Sequence, residues 1–482
     1  MVQAKLLRRG LAALAASCAL VHAAPQAEPA PLRHPGNLVA LPDGQLLLSA
    51  GAQDGRHGAE LWAVDPRTGS QRLVRDIRPG PLGAFPSGLT LWRGHVYFAA
   101  DDGAHGLELW RSDGTEAGTT RVADLRPGAE GSLPNGFVAF GDALYFSADD
   151  GRHGFELWRT QGTPDTTVLV ADIHAGAPGS LPRQLTARGD ALLFSASDAD
   201  GGTELWRSDG TTAGTRRVLD IHADGDAAPE ALTLVGDTLF FTADDGRHGR
   251  ELWRSDGTAA GTRLVRDIRA GRDSAQLRHL AAAGRWLYFA ANDGTHGIEL
   301  WRSDGSAEGT ALVADIRTGP GNALPSHITA LGEQVVFAAF DGVHGVEPWI
   351  SDGTAAGTRL LGDIHAGPGH SNAWAFTRVG ERVVFAADDG KQGMELWHTR
   401  GTPQDLALLR DERMGAEGAF PRGFVAVGGR IAFVAEAADG STYLAFDAVP
   451  GLNCGSADSG TVGKVPGAAG CVASAPSSST TR

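Results

Sequence analysis

The chain has 482 residues, with 57 Asp and Glu against 42 Lys and Arg, and a formal charge of −15. That balance excludes nucleic acid as a partner, because binding to phosphate backbones needs a basic footprint. Its three cysteines supply no paired-cysteine zinc motif.

The N-terminus carries Lys5, Arg8 and Arg9, then an apolar run from Leu11 to Val21, then Val21-His22-Ala23 as a small-residue cleavage site. Residues 1–23 therefore read as a secretory signal peptide, shorter than the roughly 20 apolar residues a spanning helix needs. A rival reading takes Ala15-Ala16-Ser17-Cys18 as a lipoprotein box with Cys18 lipidated. No later run is apolar enough to be a transmembrane segment. The expected location is secreted: periplasm, cell surface or extracellular space. Residues 24–36 read as an N-terminal linker.

Residues 37–448 are built on a repeated phrase, Glu-Leu-Trp followed by Arg-Ser-Asp-Gly-Thr. Its tryptophans are Trp62, Trp110, Trp158, Trp206, Trp253, Trp301, Trp349 and Trp397, spaced by 47 or 48 residues. A fixed period of this size means one small unit stacked many times. In the type unit, residues 88–92, 95–100, 107–111 and 119–124 read as short strands parted by Gly/Asp turns. No window holds a 3.6-residue apolar period, so helix is not expected. The second strand recurs nine times, centred on Leu48, Phe98, Phe146, Phe194, Phe241, Phe289, Phe337, Phe385 and Phe433. The last unit is cut short, with Tyr443-Leu444 where Glu-Leu stands elsewhere. The spacing predicts an all-β fold, a β-propeller of four-stranded blades with the tryptophans wedged between them. Nine blades are expected, the ninth completed by a strand from residues 29–34; eight blades with leftover strands is the alternative. Residues 449–482 form a Gly/Ser/Ala-rich tail in which Cys454 and Cys471 are expected to pair as a disulfide.

The phrases at 108–115, 204–211, 251–258 and 299–306 resemble the bacterial family named for its ELWxxDGT repeat, with Ser306 in place of the last Thr. Departures are Ala63-Val64-Asp65-Pro66 after Trp62, Gln161 and Arg400 for the turn Asp, and Pro348 before Trp349. The resemblance covers about residues 37–447. It implies an exported, repeat-built protein and no particular chemistry.

An up-and-down blade puts its loops on two faces. The upper face gathers the Asp-Asp-Gly-x-His-Gly turns and the links between blades; the lower face gathers the Ser-Asp-Gly-Thr turns. Asp and Ser in such turns bond nearby amides and Gly supplies positive φ, which is a structural role. The pairs His105/Glu108, His153/Glu156, His248/Glu251, His296/Glu299 and His344/Glu347 resemble acid–base or metal sets. Residues three apart on a strand point to opposite faces, and one active site does not recur in most blades. Glu108, Glu156, Glu204, Glu251 and Glu299 therefore read as polar interblade pins satisfied by amides or by Arg, and the histidines as turn caps. Pairs such as Asp76/Arg78 and Asp124/Arg126 read as interblade ion pairs.

Sites are sought where the pattern breaks. Asp198, Asp200, Asp224 and Asp226 cluster on the upper face of the fourth unit and suit Ca²⁺ by ligand type, although the twelve-residue calcium loop is absent. His327, His370 and Trp374 are ligand-binding candidates on irregular links. Nucleophile elbows, P-loops and helical zinc motifs are absent, so no catalytic residue is assigned. No cofactor is expected apart from that Ca²⁺. The even spread of polar groups points to a monomeric, non-enzymatic binding or scaffold module for an extracellular protein or polysaccharide. A glycan hydrolase or lyase with its site at the channel mouth, and a calcium-dependent adhesion module, are the alternatives.

Overall fold

The computed structural model describes residues 32–53, 55–200 and 202–449. The signal segment, Cys18, the Cys454/Cys471 pair and the tail beyond residue 449 lie outside the described residues. The chain is all-β and forms nine antiparallel meanders whose strands follow one another in sequence order. The blades span residues 33–75, 87–123, 135–171, 183–219, 230–266, 278–314, 326–360, 374–410 and 422–448. Each innermost strand lies beside that of the next blade, and the ninth returns to the first. The nine blades therefore close a propeller ring.

Each blade forms because its second strand is apolar along its whole length. His95–Asp101 buries every residue between its ends, and its partner Leu107–Ser112 sets Trp110 directly opposite Phe98. Phe98 and Trp110 pack with Leu41, Leu47, Leu61, Val74 and Ile77 of the preceding blade. A blade alone would leave that face wet, and stacking removes it from water at roughly 1.5–3 kcal/mol per large side chain. Arginines add polar clamps. Arg72 donates to the Gly114 carbonyl at 2.8 Å, and Arg111 to that of Gly162 at 2.8 Å. Arg78 and Arg126 reach forward to Asp101 and Asp149 of the following blade, not to the aspartates two residues before them.

On the upper face the turn before the third strand crosses the link to the next blade. A Cβ on Gly106 (φ +66°) would lie 2.5 Å from the Gly131 amide nitrogen, so only glycine fits there. The two blades lacking the turn Asp, at Gln161 and Arg400, instead form single 3₁₀ turns over Pro164–Thr166 and Pro403–Asp405, each opened by a proline.

The ring closes differently from the expectation. The ninth blade has three strands among the described residues. Residues 29–31 lie outside them, and Arg33 and His34 open the innermost strand of blade 1, Arg33–Ala40, not a fourth strand of blade 9. The propeller thus begins before residue 37. The seam is sealed by side chains: Leu32, Leu46, Leu48 and Val64 pack on Val427 and Ala432. Arg430 donates to the Pro66 carbonyl at 2.8 Å across it.

Candidate functional site

The innermost strands define a channel wall. Each is paired on one side only, leaving its other edge toward the ring axis. Each also has a bulge after its first residue, so its pairing jumps, as from Arg183↔Ser195 to Thr186↔Leu193. The residue after that first one lies at positive φ in eight blades, Gly88, Gly136, Gln184, Ala231, His279, His327, Ala375 and Gly423, and in blade 1 Asn37 holds the equivalent place after Gly36. Side chains in that region cost on the order of 1 kcal/mol or more and persist where surroundings hold them. Asn37 and Gln184 show how: Asn37 Nδ2 donates to the Pro86 carbonyl at 3.3 Å, and Gln184 Oε1 accepts from the Leu232 amide at 3.1 Å, both on the next blade.

A cavity of about 530 Å³ opens against this wall at blades 8, 9 and 1. Arg422, Gly423 and Asn37 line it with Ala375 and Phe376. Arg183 and Arg278 hold the same register position on blades 4 and 6 as Arg422 on blade 9, each paired with the residue that follows the central Phe. Glu230 and Trp374 hold it on blades 5 and 8.

His279 and His327 stand side by side on blades 6 and 7, with ring centroids 5.7 Å apart. His327 stacks in turn on Phe376 at 6.4 Å. Both imidazoles are reached by solvent yet crowded by the concave wall. Desolvation pushes both below the ordinary histidine value, and His327 and Arg278 push His279 further. Both shifts favour the neutral imidazole, the form that takes a proton.

The structure places the other candidates elsewhere. Asp198 meets Arg217 at 3.4 Å, and Asp226 Oδ1 accepts the Thr203 and Ala228 amides. Asp200 and Asp224 are exposed. Among the described residues no three His, Cys, Asp or Glu side chains converge as a cation site requires. His370 Nδ1 accepts the Val346 amide at 2.9 Å, which ties down a link. His327 and Trp374 do belong to the channel wall. The His-Gly-x-Glu pairs never meet. Each His closes its own turn, as His105 Nδ1 does on Asp102 at 2.8 Å.

The glutamates are buried on the other side of the strand. Glu108 accepts from the Leu125, Arg126 and Ser132 amides and from Ser132 Oγ at 2.6 Å, which joins its blade to the link. Burial raises these carboxyls. Glu60, Glu251, Glu299 and Glu395 are pushed up to about 7; alanine stands in the serine's place beside each of them, and beside Glu204, which is also raised. Ser132→Ala is expected to cost about 1 kcal/mol in urea unfolding and to raise Glu108 further, since the Ser132 hydroxyl lowers it. An unchanged midpoint would remove the serine from the pin.

No family model matches the sequence, and no curated protein matches it. Among solved structures the chain is similar to a puromycin hydrolase mutant complexed with PGG, at 14% identity and a TM-score of 0.40, covering 84% of this chain and 58% of that one. It is similar to a prolyl endopeptidase at 11% identity and 0.40, covering 76% and 56%. It is similar to a Mycobacterium tuberculosis puromycin-hydrolyzing peptidase at 13% identity and 0.37, covering 73% and 58%. The chain spans less than three fifths of the length of these structures. The expectation of a non-enzymatic binding or scaffold module is corrected at this point, since the chains it resembles are named as hydrolases and peptidases. That expectation weighed the groups every blade shares, whereas the channel wall is built from groups that differ between blades.

Proposed function

We propose that the chain acts in peptide hydrolysis, with the channel as the place where an extended peptide is held. The observation that carries this is the ring of one-sided strand edges around the axis, because such an edge pairs with an added extended strand through main-chain hydrogen bonds. The reading rests on the wall, not on the likeness to solved structures. The test is to incubate the purified chain with a peptide mixture and follow products by mass spectrometry, with binding followed by anisotropy. Binding with fragments at defined bonds is expected; neither binding nor cleavage would overturn it.

One observation favours a second, sharper reading, in which the ring carries out the proton transfers itself. His279 and His327 are adjacent, exposed on the channel wall and shifted toward the neutral form. One imidazole takes a proton from water as the water oxygen attacks the peptide carbonyl carbon, then returns it to the nitrogen as the C–N bond breaks. His279→Ala with His327→Ala is expected to lower kcat about 10²-fold or more, leaving peptide binding in place. The acid limb of the rate profile is expected below the usual histidine value, and a limb above it would count against this pair.

Export through residues 1–23, pairing of Cys454 with Cys471, and kinship with ELWxxDGT-repeat proteins belong to the same proposal. They set the substrate pool as peptides outside the cytoplasm. No helix of the described residues is long and apolar enough to cross a membrane.

A further inference from the structure

Among the described residues, seven of the joints between blades share one apolar pair. An Ile or Leu near the start of the link lies in the same core as the tryptophan of the next blade, as Ile77 does with Trp110, Leu125 with Trp158 and Ile268 with Trp301. The joint between blades 8 and 9 departs from this on both sides. Glu412 stands in the aliphatic place, its amide bonding Glu395 as the Ile77 amide bonds Glu60. Ala445 stands in the tryptophan's place, opposite Phe433, and by the same register Asp447 takes the place of Ser112.

The two acids meet across the joint. Arg410 reaches both, its Nε 3.4 Å from Glu412 Oε1 and its Nη1 3.9 Å from Asp447 Oδ1. The Glu412 side chain is 6% exposed and that of Asp447 17%. Glu412 Oε1 and Asp447 Oδ2 are buried and find no hydrogen-bond donor among the described residues. A proton carried by one acid supplies the missing donor, since two carboxylates do not both stay ionised in such a place. Burial raises both acids, and the bond between them raises Glu412 and lowers Asp447, so the shared proton belongs to Glu412. The other titratable and charged groups around the pair are Glu395, Asp411 and Arg413 on the side of blade 8, and Tyr443 and Arg430 on blade 9.

We infer that the joint between blades 8 and 9 is a pH-sensitive one: the proton shared by Glu412 and Asp447 holds it closed, and loss of that proton sets two like charges against each other and loosens it. The support is present below the ordinary carboxylate range and is lost as pH rises through the raised folded values. The cavity of about 530 Å³ is lined by Phe376 of blade 8 and Phe424 of blade 9, so a looser joint changes its width. The test is hydrogen exchange of the full chain at pH 5 and pH 8, corrected for the intrinsic pH dependence of exchange, with the link at 268–275 as reference. Glu251 pins that link and is raised to about 7, like Glu395, but its joint keeps Ile268 and Trp301. The link at 412–419 is expected to lose about tenfold more protection than the reference, because one proton gives a tenfold change per pH unit. Glu412→Gln keeps the shape and does not ionise, and Glu412→Ile with Asp447→Ser restores the residues of most other joints. Each should bring the two links level, and Glu412→Gln decides alone if the double variant does not fold. Equal loss in the two links of the parent overturns the inference, and so does an excess that persists in Glu412→Gln.

Discussion

Glu108→Ala is expected to lower stability by about 3–5 kcal/mol, the range for removing one partner from a buried ionic hydrogen-bond set. Glu108 has no exposed surface, and its carboxylate takes all four donors of the link: the Leu125, Arg126 and Ser132 amides and Ser132 Oγ. Alanine leaves the buried Ser132 amide and hydroxyl, and the half-buried Leu125 and Arg126 amides, without this acceptor. Total stabilities of folded domains are about 5–15 kcal/mol, so the change removes a large share. Glu108→Gln keeps one acceptor oxygen and the shape, and should cost less. Blades touch mainly their neighbours, so the loss should begin locally. Hydrogen exchange should show the link at 124–132 opening before distant blades. Urea unfolding of the alanine variant at the parent's midpoint would show that the carboxylate does not hold the link.

Stability is expected to rise as pH falls from 8 to about 5. Glu60, Glu251, Glu299 and Glu395 have folded values pushed up to about 7, first by burial, against an ordinary carboxylate value of about 4.3. A raised value means that the folded state binds protons more tightly. Its contribution is complete below about 4.3 and lost as pH rises through about 7. Each proton held only by the folded state gives a slope on the order of 1.4 kcal/mol per pH unit. His153, His248, His296 and His344 act in the same direction at higher pH, because the Asp each bonds raises it. The lower-face turn carboxylates Asp113, Asp209, Asp256, Asp304 and Asp352 act oppositely. Their amide and hydroxyl donors hold them below the ordinary value, so their support is lost only as pH falls below about 4. Melting scans should therefore peak near pH 5, and a midpoint that climbs steadily to pH 8 would contradict the glutamate assignment.

The blade was legible because its signal is repeated. Phe98, Trp110 and the Ser-Asp-Gly-Thr turn each return at a fixed spacing, so chance and local propensity average out. The seam was not legible. Counting strands suggested that residues 29–34 complete the last blade, but Arg33 begins the first blade's inner strand and apolar packing with Arg430 seals the joint. The wall was hidden for the opposite reason. Arg183, Arg278 and Arg422 hold one register position on three blades, yet each sits among unlike neighbours in sequence and looks like an ordinary surface residue. His327 and Trp374 stood out because their links are irregular; the link Arg272–His279 is irregular in the same way, but only the fold shows that His279 lies beside His327.

No strand is shared between the last blade and the first among the described residues, so that joint is held by side-chain packing and the Arg430 bond, without the covalent link and glutamate pin of the others. A gene rearranged to start at another blade, with the old ends linked, should yield the same wheel, and inserting or deleting one unit changes only the circumference and the width of the bore.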